Sequence, residues 1–262
     1  MKFILSLLFG LISALVTAEN HLNLNVRSIA LGRVHALDSG VVNPSSLSFY
    51  QAPALGFSVY NQFQIKGLNN FSCYGIFPNR FLDAGLQVLE YGYEDYHRWT
   101  VQGSFSKKIT SRIALGTSFR YQEFSNFREE EIKPLIHADL GLFFQVNEKI
   151  AVALLSEDVI NNSHDKCQAF IGLNYNMAAS CKFLLECAVR EQEPLSFSSG
   201  IEYELMDHFY FRMGIYSHPL TPTFGLSFSL KPFSVDVACD KHSFLGYSLM
   251  LGISYQFKLM KR

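Results

Sequence analysis

The sequence is poor in charged residues and has no excess of either sign. Charged side chains make up 17% of the 262 residues, and 22 Lys and Arg nearly balance 23 Asp and Glu. A charged fraction below the roughly 25% of ordinary soluble domains argues against disorder and against a typical cytosolic enzyme. Without a basic excess the chain also lacks the electrostatics that track a phosphate backbone, so no nucleic-acid partner is expected.

Recognisable catalytic and metal-binding motifs are missing as well. The five cysteines include no CxxC pair, the eight histidines form no HExxH motif, and no GxSxG elbow occurs. We therefore predict no catalytic residue, no metal and no cofactor, with a membrane-embedded hydrolase as a remote alternative. A disulfide between Cys167 and Cys187 is left open, because both lie at similar distances from a turn near Met177.

Long apolar runs are absent beyond residues 1–18. That segment has Lys2 before an apolar stretch and ends in the small residue Ala18, as secretory signal peptides do. We expect it to be cleaved; an uncleaved anchor is the alternative. The longest later apolar run, 150–155, is far below the ~20 residues that a spanning helix requires. Apolar surface must therefore be buried in a core or shown to lipid along strands.

Alternating apolar and polar residues, the period of a β-strand, dominate from Pro53 onward. In 246–257 the apolar face consists of Tyr247, Leu249, Leu251, Ile253, Tyr255 and Phe257. Similar segments lie near 54–65, 68–77, 80–90, 97–107, 113–121, 135–146, 149–155, 167–175, 180–190, 195–205, 208–217, 222–230 and 232–240. Short connections follow each segment and no helical stretch intervenes, so the pattern predicts an all-β antiparallel meander of about fourteen strands.

The composition of the two strand faces favours a barrel in a membrane. The polar face is built from small residues with scattered charges, whereas a soluble sheet would carry many Lys and Glu side chains. Aromatic residues stand near strand ends on the apolar face: Trp99, Tyr121, Tyr175, Tyr203, Tyr247 and Phe257. This pattern is typical of a transmembrane β-barrel with aromatic girdles and a polar interior. A large soluble β-sandwich is the alternative.

Residues 29–48 precede the first strand and read IALGRVHALDSGVVNPSSLS. They resemble the N-terminal segment of FadL-like bacterial outer-membrane proteins, including the PorV-like members of type IX secretion systems. The matching positions are Ala30, Leu31, Gly32, Asp38, Asn43, Pro44 and Leu47. The resemblance implies a barrel of fourteen strands over 53–257 with 19–52 packed inside it as a hatch. Arg33 and Val34 depart from the small residues that the family prefers, and a basic extension, 258–262, follows the last aromatic residue.

Charged residues on the polar face of the strands are candidate lumen groups. They are Arg98, Arg112, Arg120, His137, Asp139, Lys182, Glu186, Arg190, Glu202, Glu204 and Arg212. Because their signs are mixed, we expect ion pairs that hold the hatch through residues such as Arg33, His35 and Asp38. A polar conduit for an ionic solute is the alternative. Inward aromatic residues are few on this pattern: Phe143, Tyr210 and Tyr216.

These features together favour a non-enzymatic barrel of the bacterial outer membrane. Short connections and few inward aromatics favour a PorV-like accessory role in protein secretion or surface attachment, and the alternative is a FadL-like passive channel for small hydrophobic molecules. The expected partners are outer-membrane lipid and secretion-machinery proteins, and the barrel itself is expected to be monomeric.

Overall fold

The computed structural model describes residues 25–38, 41–93, 96–126, 133–162, 167–190 and 193–258. Fourteen antiparallel strands close into a barrel, each pairing with its neighbours in sequence and β14 pairing with β1. The strands are β1 Ala54–Asn61, β2 Asn69–Phe77, β3 Asp83–Tyr93, β4 Tyr96–Lys108, β5 Ile113–Asn126, β6 Leu135–Gln145, β7 Ile150–Asn161, β8 Gln168–Ala178, β9 Cys181–Arg190, β10 Ser196–Met206, β11 Phe209–Ser217, β12 Leu220–Leu230, β13 Phe233–His242 and β14 Gly246–Gln256. The predicted fold class is confirmed.

The outer surface of the barrel is apolar. In β14, Leu249, Leu251 and Ile253 point outward and are exposed, whereas Ser248 and Met250 point inward and are buried. All six residues of the predicted aromatic girdles are exposed as well: Trp99, Tyr121, Tyr175, Tyr203, Tyr247 and Phe257. A closed barrel leaves no unpaired strand edge, and its apolar exterior matches a hydrocarbon environment. No helix in the described residues has the length and apolarity to cross a bilayer.

The two rims of the barrel differ in their connections. We call the rim where β1 begins and β14 ends the terminal rim, and the opposite one the loop rim. Tight turns such as 179–180, 207–208 and 231–232 lie at the terminal rim, whereas the longest connection, 127–134, lies at the loop rim. In membrane barrels the shorter turns face the periplasm, which orients the terminal rim to that side.

Residues 25–38 and 41–52, here called the hatch, lie inside the barrel. Its first part is a short helix, α1 (Val26–Ala30), which Asn25 caps by accepting from the Ser28 amide and which packs on β11 to β14. Its last part is a 3₁₀ turn, Pro44–Phe49, capped by Asn43 and packed on β3 to β6. The hatch thus crosses the lumen from one side of the wall to the other and returns to the terminal rim.

Glycines on the inner wall allow this close approach. A Cβ added at Gly214 would overlap the backbone of Gly32, and one at Gly116 would overlap the Pro44–Ser45 peptide. Gly32 itself has φ +83°, a left-handed conformation that favours glycine. The small residues of the polar strand face therefore make room for a second layer of backbone.

The apolar core of the protein lies in the lumen, between hatch and wall. Ile29, Leu31 and Val34 of the hatch are buried in one cluster with Phe170 and Leu184 of the wall. Each buried side chain of this size contributes about 1.5–3 kcal/mol relative to exposure in water. Hydrophobic burial is therefore a main force that holds the hatch in place.

No disulfide joins Cys167 and Cys187, and both thiols are free. The β8–β9 register places Cys187 opposite Ile171, so Cys167, four positions earlier in the chain, is not its cross-strand neighbour. The predicted signal peptide 1–18, the start of the predicted hatch at 19–24, and residues 259–262 of the extension lie outside the described residues.

Candidate functional site

A charge cluster around Glu202 links the hatch to the wall. The Glu202 carboxylate accepts from Arg27 of the hatch at 2.8 Å (Nε) and 3.2 Å, and from Arg212 Nε of β11 at 2.8 Å. Lys182 Nζ of β9 lies 3.2 Å away, and Arg212 also donates to Asp236 at 2.8 Å. The Glu202 carboxylate of β10 thus joins the start of α1 to β9 and β11 as well.

Arg33 forms a second link, on the loop-rim side of the hatch. Its guanidinium donates to the Asp240 carboxylate of β13, with Nε at 3.0 Å, and Tyr60 donates to the same carboxylate at 3.2 Å. The guanidinium also lies 5.9 Å from the ring centroid of Tyr216. Arg33, a departure from the small residues of the expected motif, is therefore a buried anchor of the hatch.

A third link binds hatch backbone to a wall carboxylate. Glu186 of β9 accepts from the amide of His35 at 2.9 Å and from that of Ala36 at 2.8 Å. The His35 ring stacks on Phe170 with centroids 4.3 Å apart. Charge-assisted bonds to backbone amides of this length are among the stronger ones in proteins.

A fourth group, around Arg120, lies within the wall near the loop rim. Arg120 donates to Asp139 at 2.8 Å and to Asp158 at 2.7 Å. The β6–β7 register shifts between Ala138 and Leu140, and Asp158 adopts φ +58°. This bulge breaks the strand alternation, so that the consecutive residues Glu157 and Asp158 are both buried.

The other predicted lumen charges have mixed outcomes. Arg98 is buried with its guanidinium 5.4 Å from the Tyr91 ring centroid, and Arg190 donates to Gln168 at 2.7 Å. Glu204 is half-buried near the terminal rim, where it accepts from the His208 amide at 3.4 Å. The prediction for Arg112 is wrong. It lies in the exposed turn before β5, because the alternating pattern was extended one residue beyond the start of the strand.

The residues that match the expected hatch motif are all buried in the hatch: Ala30, Leu31, Gly32, Asp38, Asn43, Pro44 and Leu47. The Asn43 amide donates to Ala36 O at 2.7 Å, which links the start of the 3₁₀ turn to the part of the hatch that follows α1. The side chain of Asn25 donates to Asp38 across the same loop. The motif therefore includes contacts that stabilise the hatch internally as well as contacts with the wall.

Several charged residues in these clusters were missed by the sequence reading. Asp236 and Asp240 both face inward on β13, and the alternating pattern of that strand could have identified them. Arg27 lies in the hatch, where the sequence has no alternating pattern that would assign a side chain to one face. Glu157 and Asp158 lie at the bulge, where alternation fails. Among the described residues, no three His, Cys, Asp or Glu side chains are grouped to hold a metal ion.

Among the described residues, a larger and a smaller cavity open at the terminal-rim side of the hatch. The larger, of about 510 Å³, is bounded on its apolar side by Leu37, Phe49, Phe143 and Leu184. Phe49 and Phe143 pack with ring centroids 4.5 Å apart. The smaller, of about 220 Å³, is lined largely by hydroxyl groups and by Arg212. Arg27 and Tyr50 line both cavities, which therefore adjoin.

Neither a protein-family model nor a curated protein sequence matches this chain, but solved structures share its architecture. The CymD monoaromatic hydrocarbon channel matches with a TM-score of 0.66 and 12% identity, over 91% of this chain and 98% of that one. The barrel has the same overall fold as this channel. The Ralstonia pickettii toluene transporter TbuX gives 0.65 and 12%, over 92% and 100%. A Pseudomonas aeruginosa FadL homologue gives 0.66 and 8%, over 89% and 98%. At sequence identities this low, the similarity establishes a shared fold and nothing more.

Inward aromatic residues are more numerous than the sequence pattern indicated. Tyr60 and Phe170 are buried in the lumen together with the expected Tyr216. Tyr74 and the expected Tyr210 both line the smaller cavity. The small number of inward aromatics, one argument for an accessory role over ligand passage, therefore no longer holds.

Proposed function

We propose that this barrel is a passive channel of the bacterial outer membrane for small hydrophobic molecules. The larger cavity is the observation that carries the proposal. Its volume of about 510 Å³ lies in the range of small-molecule sites, and Leu37, Phe49 and Phe143 give it an apolar wall. The architecture shared with hydrocarbon channels supports the same assignment.

Passage in this proposal requires movement of the hatch. Its described residues 41–48 and 29–38 are all buried in the lumen, while the strands form a closed ladder. The hatch is held by apolar packing and by the links to Glu202, Asp240 and Glu186. A segment held by a few local clusters can shift without breaking the barrel, because the wall has its own hydrogen bonds.

Filling the larger cavity tests the proposal. Asn174 lines it from β8, and we expect Asn174→Trp to lower uptake of radiolabelled toluene by cells that lack other barrels of this type. Tyr175→Trp is the matched control, because the neighbouring side chain faces lipid. Uptake that is equal in wild type, Asn174→Trp and cells without the barrel would refute a channel.

The PorV-like accessory role is the second candidate. It is favoured by the burial of hatch residues 29–38 and 41–48 across the lumen and by the short turns at the terminal rim. In this proposal the barrel binds secretion-machinery proteins as a monomeric membrane anchor. Affinity purification from native membranes tests it: recovery with secretion components supports the accessory role, whereas a lone protein that carries bound lipid supports the channel.

A further inference from the structure

The smaller cavity has a different chemistry from the larger one. Its wall is formed by four neighbouring strands whose inward residues are small and hydroxylated. They are Ser227 and Ser229 of β12, Ser234 of β13, Ser254 of β14 and Ser58 of β1. Tyr74 and Tyr210 add two phenol groups. A cavity of about 220 Å³ is therefore surrounded mainly by groups that both donate and accept hydrogen bonds.

The strand register explains why these hydroxyls converge. Ser229 pairs with Ser234, and Ser234 pairs in turn with Ser254. Ser254 pairs with Gly56, and the ring of Tyr74 lies over Gly56, where a Cβ would not fit. These residues form a row around the wall at one height along the barrel axis. Their side chains therefore line the same cavity.

Part of this hydroxyl set has no protein partner. Ser234 is bonded to Asp236 at 3.4 Å. Ser58 and Ser227 are 6% and 3% exposed, and within the described part of the chain their hydroxyls make no hydrogen bond to protein. Hydroxyls that line a cavity without a protein partner can bond to water or to a polar group of a bound molecule.

We propose that the smaller cavity binds the uncharged, hydroxylated head of a small amphipathic molecule whose apolar body occupies the larger cavity. This inference rests on the proposed channel function and narrows its substrate class. The two cavities adjoin at Arg27 and Tyr50, which places the head and the body of such a molecule next to each other. A bare hydrocarbon offers no hydrogen bond to Ser58 and Ser227, whereas a hydroxyl head does.

The charges around the cavity favour a neutral head over an anion. Arg27 and Arg212 both donate to Glu202, and Arg212 also donates to Asp236. Their positive charge is therefore matched by carboxylates within hydrogen-bond distance. An anionic head would have to displace one of these carboxylates and would also face Asp236, whereas a hydroxyl can bond to the serines without disturbing any ion pair.

Equilibrium dialysis with three probes of similar size tests this assignment. The full chain in lipid nanodiscs is dialysed against radiolabelled toluene, benzyl alcohol or benzoate, and binding to empty nanodiscs is subtracted. We expect benzyl alcohol to bind most tightly. The double variant Ser58→Ala/Ser227→Ala should weaken benzyl alcohol by about threefold to tenfold, the worth of one or two hydrogen bonds, and leave toluene unchanged. Ser198→Ala, a buried inward serine that lines neither cavity, is the control.

Each other outcome has a defined meaning. Tightest binding of benzoate would overturn the neutral head, and binding of benzyl alcohol that is indifferent to the alanine changes would overturn the site. If the double variant fails to form a heat-resistant barrel, Ser229→Ala at the rim of the same cavity takes its place. Serine-dependent binding without any flux would refute the channel and keep the site, whereas toluene flux without serine dependence would do the reverse.

Discussion

Neutralising Glu202 should loosen α1 of the hatch from the wall. Removing one partner from a buried ion cluster costs about 3–5 kcal/mol, because the remaining charges stay desolvated. In Glu202→Gln the amide oxygen still accepts one bond, and Lys182 is 43% exposed and can hydrate. We therefore expect a loss of about 2–3 kcal/mol in the free energy of unfolding, or roughly 5–10 °C in Tm. Planar-bilayer conductance should rise as α1 loosens.

A double-mutant cycle with Arg27→Gln separates the hatch link from a general loss of wall stability. Arg27 contributes two of the hydrogen bonds to Glu202, so the two changes should be non-additive by about 1 kcal/mol or more. Urea unfolding in lipid vesicles gives the free energies. Glu193→Gln is the control, because this exposed carboxylate lies 3.7 Å from Arg190 at the loop rim and should cost less than about 1 kcal/mol. Strict additivity, or an equal effect in the control, would refute the reasoning.

Three further changes test the fold and the hatch. Leu251→Arg should cost about 2–4 kcal/mol in vesicle unfolding, because it places a cation on the lipid face, and a negligible cost would contradict a membrane barrel. Gly214→Ala should lower Tm and expose the hatch to protease, because the new Cβ overlaps Gly32, whereas Gly103→Ala, where no atom lies within 4 Å, should leave both readouts unchanged. Deletion of 19–48 should leave an assembled barrel on heat-modifiability gels but raise its conductance; an unchanged conductance would mean that the hatch does not block the lumen.

Strand number and facing were determined by the sequence alone. A period of two places every second residue on one face whatever the partner strand is, so Leu249, Leu251 and Ile253 could be assigned outward from local order. Short connections also predict that each strand pairs with its neighbours in sequence, but closure into a barrel depends on the non-local pairing of β1 with β14. The assignment of side chains to a face fails where the alternation stops. Arg112 was misplaced at a strand start, and Glu157 and Asp158 were missed at a bulge.

The partners inside the lumen were decided only by the tertiary structure. The alternation of the strands shows that Glu202 and Asp240 face inward. Only the path of the hatch decides that Arg27 reaches Glu202 and that Arg33 reaches Asp240. These contacts join residues far apart in sequence, so the local alternation of apolar and polar residues cannot predict them. The same holds for the cavities, because their walls combine strands that are set side by side by register with a hatch that has no repeating pattern. The sequence therefore determines which faces meet, and the packed hatch determines where space and unpaired polar groups remain.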